Sequence, residues 1–206
     1  MAYNTRMPPA YPLPPASDVV PPARVQLRRW LAGAAAHYAR GRVRAPGHDA
    51  PRRVLLIRPD HLGDLLFLGP ALHWLRQALP DTHLTLAIGP WGHPALPALA
   101  GTYDELLEIP FPAFERGQRR GLLARWRLLP QTAQRLRALE FDSALVFRPD
   151  HWWGAMLAAL AKIPRRLGYD TAETTPWLTT ALPLPHEHAA ASNLRLAGTL
   201  LDQQPA

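Results

Sequence analysis

From Arg52 to the end of the chain, short apolar runs rich in β-forming residues alternate with longer stretches of helical spacing, which leaves few folds open. Val54–Arg58 (VLLIR) predicts a buried strand and Leu62–Leu79 a helix. Leu84–Gly89 predicts a second strand, followed by a short helix near Pro94–Ala100, and Glu105–Ile109 a third strand. Leu122–Leu139 predicts an arginine-studded helix, Ser143–Phe147 (SALVF) a fourth strand, and Trp152–Ala161 the helix after it. Arg166–Tyr169 predicts a short fifth strand, and residues 186–201 a last helix. Strands and helices in turn, joined by short connections, build a parallel sheet covered on both faces. Right-handed crossovers make this an α/β, doubly wound, mainly parallel Rossmann-like sheet with strand order 3-2-1-4-5.

Ahead of this unit, residues 1–22 are proline-rich and read as a disordered tail. Residues 23–51 read as a basic amphipathic helix and a linker, with Arg24, Arg28, Arg29 and Arg40 among Val25, Leu27, Trp30, Leu31 and Tyr38. Such a helix either lies on an anionic membrane surface or docks on its own domain with the arginines solvated. The charge supports the division. Residues 1–58 carry ten arginines against Asp18 and Asp49, whereas residues 59–206 carry thirteen basic and fourteen acidic groups. A nucleic-acid-binding domain would spread its basic groups over the fold itself, so nucleic acid is not an expected partner.

Ligands of such a sheet bind beyond the carboxyl ends of the strands, where the strand order reverses. Two loops expected there share the pattern RPDHxxG: Arg58-Pro59-Asp60-His61-Leu62-Gly63-Asp64 after the first strand, and Arg148-Pro149-Asp150-His151-Trp152-Trp153-Gly154 after the fourth. The order 3-2-1-4-5 makes these strands neighbours, so the loops should face each other across the crevice. Only the first carries an aspartate after its glycine. Asp64 is either a general base at the crevice or an acid in a first helical turn, favoured there by the helix dipole. His61 and His151 either contact a ligand or act as solvated or capping groups. Arg58 and Arg148 either meet an anionic ligand or pair with Asp60 and Asp150 to brace the loops, and Arg166 is a further candidate for anion contact. Gly63 allows close backbone approach or a tight turn. Trp152 and Trp153 are divided between core packing and stacking on a sugar.

Several chemistries are excluded. The chain has no cysteine, hence no disulfide, thiolate metal site or cysteine nucleophile. Neither GxGxxG nor a Walker pattern follows the first strand, against a dinucleotide or P-loop enzyme. His186 and His188 are too close on a helix to share a metal, so no metal is expected. No apolar run nears the ~18–20 residues of a membrane span, and the first residues lack a secretory apolar region. The expected location is the cytoplasm, with a peripheral place on the inner membrane face open to the basic arm.

Four segments carry a family resemblance in their order: 52–90 (RRVLLIRPDHLGDLLFLGPALHWLRQALPDTHLTLAIGP), 103–110 (YDELLEIP), 141–171 (FDSALVFRPDHWWGAMLAALAKIPRRLGYDT) and the PWLTTALPLP that follows. Together they resemble glycosyltransferase family 9, the ADP-heptose:lipopolysaccharide heptosyltransferases and their relatives. The resemblance implies a two-domain GT-B fold, of which residues 52–206 would be the amino-terminal, acceptor-binding domain, with the carboxyl-terminal donor domain absent from the chain. It implies inverting, metal-independent transfer from a nucleotide sugar, ADP-heptose, to a lipopolysaccharide-core or related glycan, with no cofactor. The family's proposed base matches Asp64. Gly63, His61, Arg58, Arg148, His151 and Arg166 are the expected acceptor contacts. A non-catalytic module binding glycans or lipid head groups is the alternative.

Overall fold

The computed structural model describes residues 50–112, 114, 122–184 and 186–202, with backbone alone for 122–127. The expected tail lies outside the described residues, as does the arm apart from residues 50 and 51.

Six strands form one sheet in which every pairing is parallel: β1 (Arg53–Ile57), β2 (His83–Ile88), β3 (Glu105–Glu108), β4 (Ser143–Val146), β5 (Arg165–Tyr169) and β6 (Thr180–Leu182). Their order is β3-β2-β1-β4-β5-β6, the expected doubly wound order with one strand added at the edge. β6 escapes sequence reading because it has three residues and is only partly buried, leaving no apolar run to see.

Helices cover both faces: α1 (Leu62–Leu66), α2 (Gly69–Ala78), α3 (Leu122–Ala138), α4 (Trp152–Leu160) and α5 (Ala189–Thr199). Side chains of β1 alternate between the two layers. Leu55 and Ile57 pack with Leu129, Leu136 and Trp153 from α3 and α4, and Val54 and Leu56 pack with Leu65, Leu72 and Leu196 from α1, α2 and α5. These four apolar residues are fully buried, as expected of a strand enclosed on both faces, while Arg53 at the start of β1 is partly exposed.

Two expected helices differ in form. Leu62–Leu79 is α1 and α2 rather than one rod, because the chain tightens at Phe67 and Leu68, where Leu68 N–H bonds the Leu65 carbonyl at 3.1 Å. Pro70 follows in the first turn of α2, where its missing N–H does no harm. The expected short helix near Pro94–Ala100 is a 3-10 helix over Pro90–Leu99, with Pro94 and Pro97 inside it denying donors to a regular α-helical ladder.

The sheet's two ends differ in chemistry. At the amino end, charged side chains satisfy backbone groups: Asp142 accepts from Arg52 and Arg53 N–H at 2.6 and 2.8 Å. Arg165 donates to the last carbonyls of α5, Leu200 at 2.6 Å and Thr199 at 3.0 Å. At the carboxyl end, β1 and β4 finish level, Ile57 opposite Val146. The two RPDH loops therefore leave the sheet side by side.

Candidate functional site at the crossing of two loops

The loops are tied by charge, and the tie crosses between them. Arg58 pairs with Asp60 of its own loop, Nε to Oδ2 at 2.7 Å, while Arg148 pairs with Asp150 at 2.6 Å. Arg148 also donates to Asp60 Oδ1 across the crevice, so Asp60 bridges both arginines. The expected bracing of each loop by its own aspartate is present, with a cross-link added. Asp60 is 1% exposed and Arg58 5%, so this charge cluster is the floor of the crevice. Burial lowers the Arg58 pKa against the opposing pull of Asp60 and Asp64. For Arg148, burial works the same way, but hydrogen bonds to Asp150 and Asp60 outweigh it and the pKa rises. Both guanidiniums stay charged.

Asp64 stands above this floor. It lies in the first turn of α1, its side chain is half exposed, and its Oδ1 is 3.5 Å from Arg58 Nη2. Burial of Leu65 alone anchors α1 to the core; Leu62, Leu66 and Phe67 are each more than two-fifths exposed. The carboxylate thus sits at the open carboxyl edge of the sheet with a cation behind it. That arrangement leaves the carboxylate open to a hydroxyl brought into the crevice, within reach to accept its proton.

Aromatic rings form one wall. His61 stacks on Trp91 at 5.8 Å, Trp91 on Phe114 at 6.3 Å, and the Arg148 guanidinium lies 5.1 Å over Phe114. The Trp91 indole donates to the Pro59 carbonyl at 2.7 Å, pinning the wall to the first loop. His151 lies beneath, edge-on to Phe111 and Phe114, and is 4% exposed. Gly154 makes room for it, since a Cβ there would collide with the imidazole ring. The glycine of the second loop is therefore required by packing. Gly63 is not: its backbone is not left-handed, and a Cβ would meet nothing within 4 Å. The tight-turn reading of Gly63 fails, and the open space over it is where a ligand can approach the backbone.

Neither ring nitrogen of His151 has a hydrogen-bond partner among the described residues. Burial first, and then Arg148, push its pKa down to about 3. The folded chain keeps this ring neutral where the unfolded chain, at about 6.5, takes up a proton. Stability from this group is thus complete above pH ~6.5 and is lost toward pH ~3, by up to ~1.4 kcal/mol per pH unit. Urea melts between pH 7 and 4.5 should show a shallower decline for His151→Leu than for the parent chain. Parallel declines would mean the ring titrates alike in both states.

Of the expected site residues, Arg58, His61, Gly63, Asp64, Arg148 and His151 gather at the crevice, and Arg166 does not. Arg166 is the second residue of β5, beside Ala144, near the amino end of the sheet. The residue is 1% exposed, and its guanidinium donates to the carbonyls of Trp177, at 2.7 Å, and Ile163, at 2.5 Å. It braces the turn into β6 instead of facing a ligand. Trp153 is core, and Trp152 is half buried against it. His188 caps α5, accepting from Ala190 N–H at 3.2 Å. Among the described residues, no group of three or more His, Asp or Glu is placed to hold a metal ion.

Sequence reading missed Trp91, Phe114 and Asn193. Asn193 Oδ1 accepts from Arg58 Nη1 at 3.3 Å, and its Nδ2 donates to the Phe67 carbonyl at 3.0 Å. A signal existed: Asn193, Leu196, Ala197 and Leu200 fall at helical spacing on one buried stripe of α5, so the amide had to be buried.

Solved structures share this architecture. A glycosyl transferase family 9 protein from Veillonella parvula matches with a TM-score of 0.58 and 22% identity over 73% of this chain and 41% of its own. The E. coli heptosyltransferase WaaC with ADP matches with a TM-score of 0.57 and 20% identity over 74% of this chain and 48% of its own. The same enzyme with ADP-2-deoxy-2-fluoro heptose matches with a TM-score of 0.57 and 18% identity over 74% of this chain and 50% of its own. The chain has the fold of these transferases. It spans at most half of their length. No protein-family model and no curated protein matches it. Among the described residues no helix is long and apolar enough to cross a membrane.

Proposed function

We propose that this chain is the acceptor-binding half of a glycosyltransferase of the family 9, heptosyltransferase-like kind. The observation that carries the reading is Asp64, a half-exposed carboxylate backed by Arg58 at the carboxyl edge of the sheet, where the two RPDH loops meet. The fold shared with the E. coli heptosyltransferase and the V. parvula protein supports it. In the proposed reaction an acceptor hydroxyl attacks the anomeric carbon of a nucleoside-diphosphate sugar, ADP-heptose, with inversion. Asp64 takes the hydroxyl proton, and the bond to the diphosphate breaks as the new glycosidic bond forms. Arg148, a third exposed and held by two carboxylates, faces the acceptor's carboxylate or phosphate groups. The acceptor is a lipopolysaccharide-core or related glycan. The donor's diphosphate is held by a second unit, which corresponds to the half of the solved relatives that this chain does not match. Catalysis takes place in the cytoplasm, with the basic arm offering contact to an anionic membrane surface.

The test is a pair of assays with a lipopolysaccharide-core acceptor. Residues 1–206 should bind the acceptor without transferring heptose from ADP-heptose, and the same segment joined to a donor-binding unit should transfer it. A non-catalytic glycan-binding module would bind in both forms and transfer in neither.

A further inference from the structure

We infer that Asn193, on the last helix, is a positioning residue that fixes α1 and thereby the Asp64 carboxylate. The inference rests on the proposed role of Asp64. α1 has five residues and one buried anchor, so packing alone holds it weakly. Asn193 is 2% exposed and grips α1 from two sides. Its amide N–H holds the carbonyl of Phe67, which ends α1, at 3.0 Å. Its carbonyl oxygen holds Arg58 Nη1 at 3.3 Å, beside the Phe147 carbonyl at 2.9 Å. Arg58 Nε lies in ion contact with Asp60 at 2.7 Å, so the rigid plane is held at Nη1 by hydrogen bonds and at Nε by charge. The third, Nη2, then points in a set direction, toward Asp64 at 3.5 Å. A helix that follows β6 thus aligns a carboxylate that follows β1.

The test uses NMR on the 206-residue chain. A guanidinium held on both sides rotates slowly about Nε–Cζ, so Arg58 should show separate Nη1 and Nη2 resonances. In Asn193→Ala these should broaden, since Nη1 keeps only the Phe147 carbonyl, and the α1 amides of Leu65 and Phe67 should exchange at least tenfold faster while β1 and β4 amides keep their rates. Asn193→Asp retains the oxygen facing Arg58 and loses the donor to Phe67. It should keep the separate resonances and speed only the α1 amides. Arg195→Ala, on the outer face of α5, should change neither signal. Unaltered α1 exchange in Asn193→Ala, or equal acceleration throughout the sheet, would overturn the inference.

An activity arm follows in the segment joined to its donor unit, where Asn193→Ala should lower kcat about tenfold with KM unchanged. If Asp64→Asn abolishes transfer and Asn193→Ala leaves kcat intact, the positioning role is wrong. If Asp64→Asn itself transfers normally, the proposed function fails, and the NMR result still decides whether Asn193 holds α1.

Discussion

Asp64→Asn should slow sugar transfer by roughly 10²–10⁴, the usual worth of general acid–base catalysis. The measurement is kcat with ADP-heptose and a lipopolysaccharide-core acceptor, in the segment joined to a donor-binding unit. Asparagine keeps the size of the side chain and its place in the first turn of α1, but it cannot take the acceptor's proton. Melting should hardly move. The Asp64 side chain is 49% exposed and its contact with Arg58 is 3.5 Å long, so the pair stabilises the fold by about 0–1 kcal/mol. The expected signature is a large kinetic loss in a protein of ordinary stability. Asp60→Asn and Asp150→Asn should slow transfer less. Turnover near that of the parent would leave Asp64 as a helix-dipole residue worth about 0.3–1 kcal/mol, and the catalytic assignment would be withdrawn.

Asp60→Ala should do the reverse, removing stability. Asp60 neutralises Arg58 in a place water hardly reaches and holds Arg148 across the crevice. Taking away one member of a buried pair leaves the other charged and poorly solvated, at a cost of about 3–5 kcal/mol. A domain of this size loses about 2–4 °C of Tm per kcal/mol, so thermal melts should fall by about 6–20 °C. Asp150→Ala is the control. That carboxylate is 63% exposed, and its bond to Arg148 lies at the surface, so less than about 1 kcal/mol should go. Equal melting of the two variants would show that the bridge contributes nothing beyond a surface contact.

The contrast between Asp60 and Asp64 marks what the sequence could and could not reveal. Both aspartates stand in one seven-residue string, and nothing local says that one is floor and the other is open. Burial separates them: Asp60 follows the end of β1 directly, while Asp64 is carried outward on α1. The sheet order was legible because strands and helices alternate along the chain and right-handed crossovers turn that alternation into a doubly wound order. The cross-link from Arg148 to Asp60 was not, since each arginine has an aspartate two residues away in its own loop. Only the level ends of β1 and β4 bring the second aspartate within reach. Arg166 was misplaced through strand polarity. It stands near the start of its strand, and in a parallel sheet the starting residues lie at the end opposite the crevice. Trp91 and Phe114 were invisible as site residues because they follow β2 and β3, and the fold alone brings those segments to the wall beside His61.

The charges on the crevice floor also bear on how a ligand arrives. Arg58 and Arg148 are set among Asp60, Asp64 and Asp150, two positive groups against three negative. An anionic glycan approaching from a distance therefore feels no attraction from the floor, and reaching Arg148 means displacing a carboxylate already bound there. Without such attraction, association generally runs at an unsteered pace of about 10⁵–10⁶ M⁻¹s⁻¹. Nine of the chain's arginines lie in residues 1–53, ahead of the crevice loops in sequence, and five more lie in residues 116–127, between them. Any steering by these arginines would weaken as ionic strength rises, whereas the buried contacts of the crevice floor are screened far less.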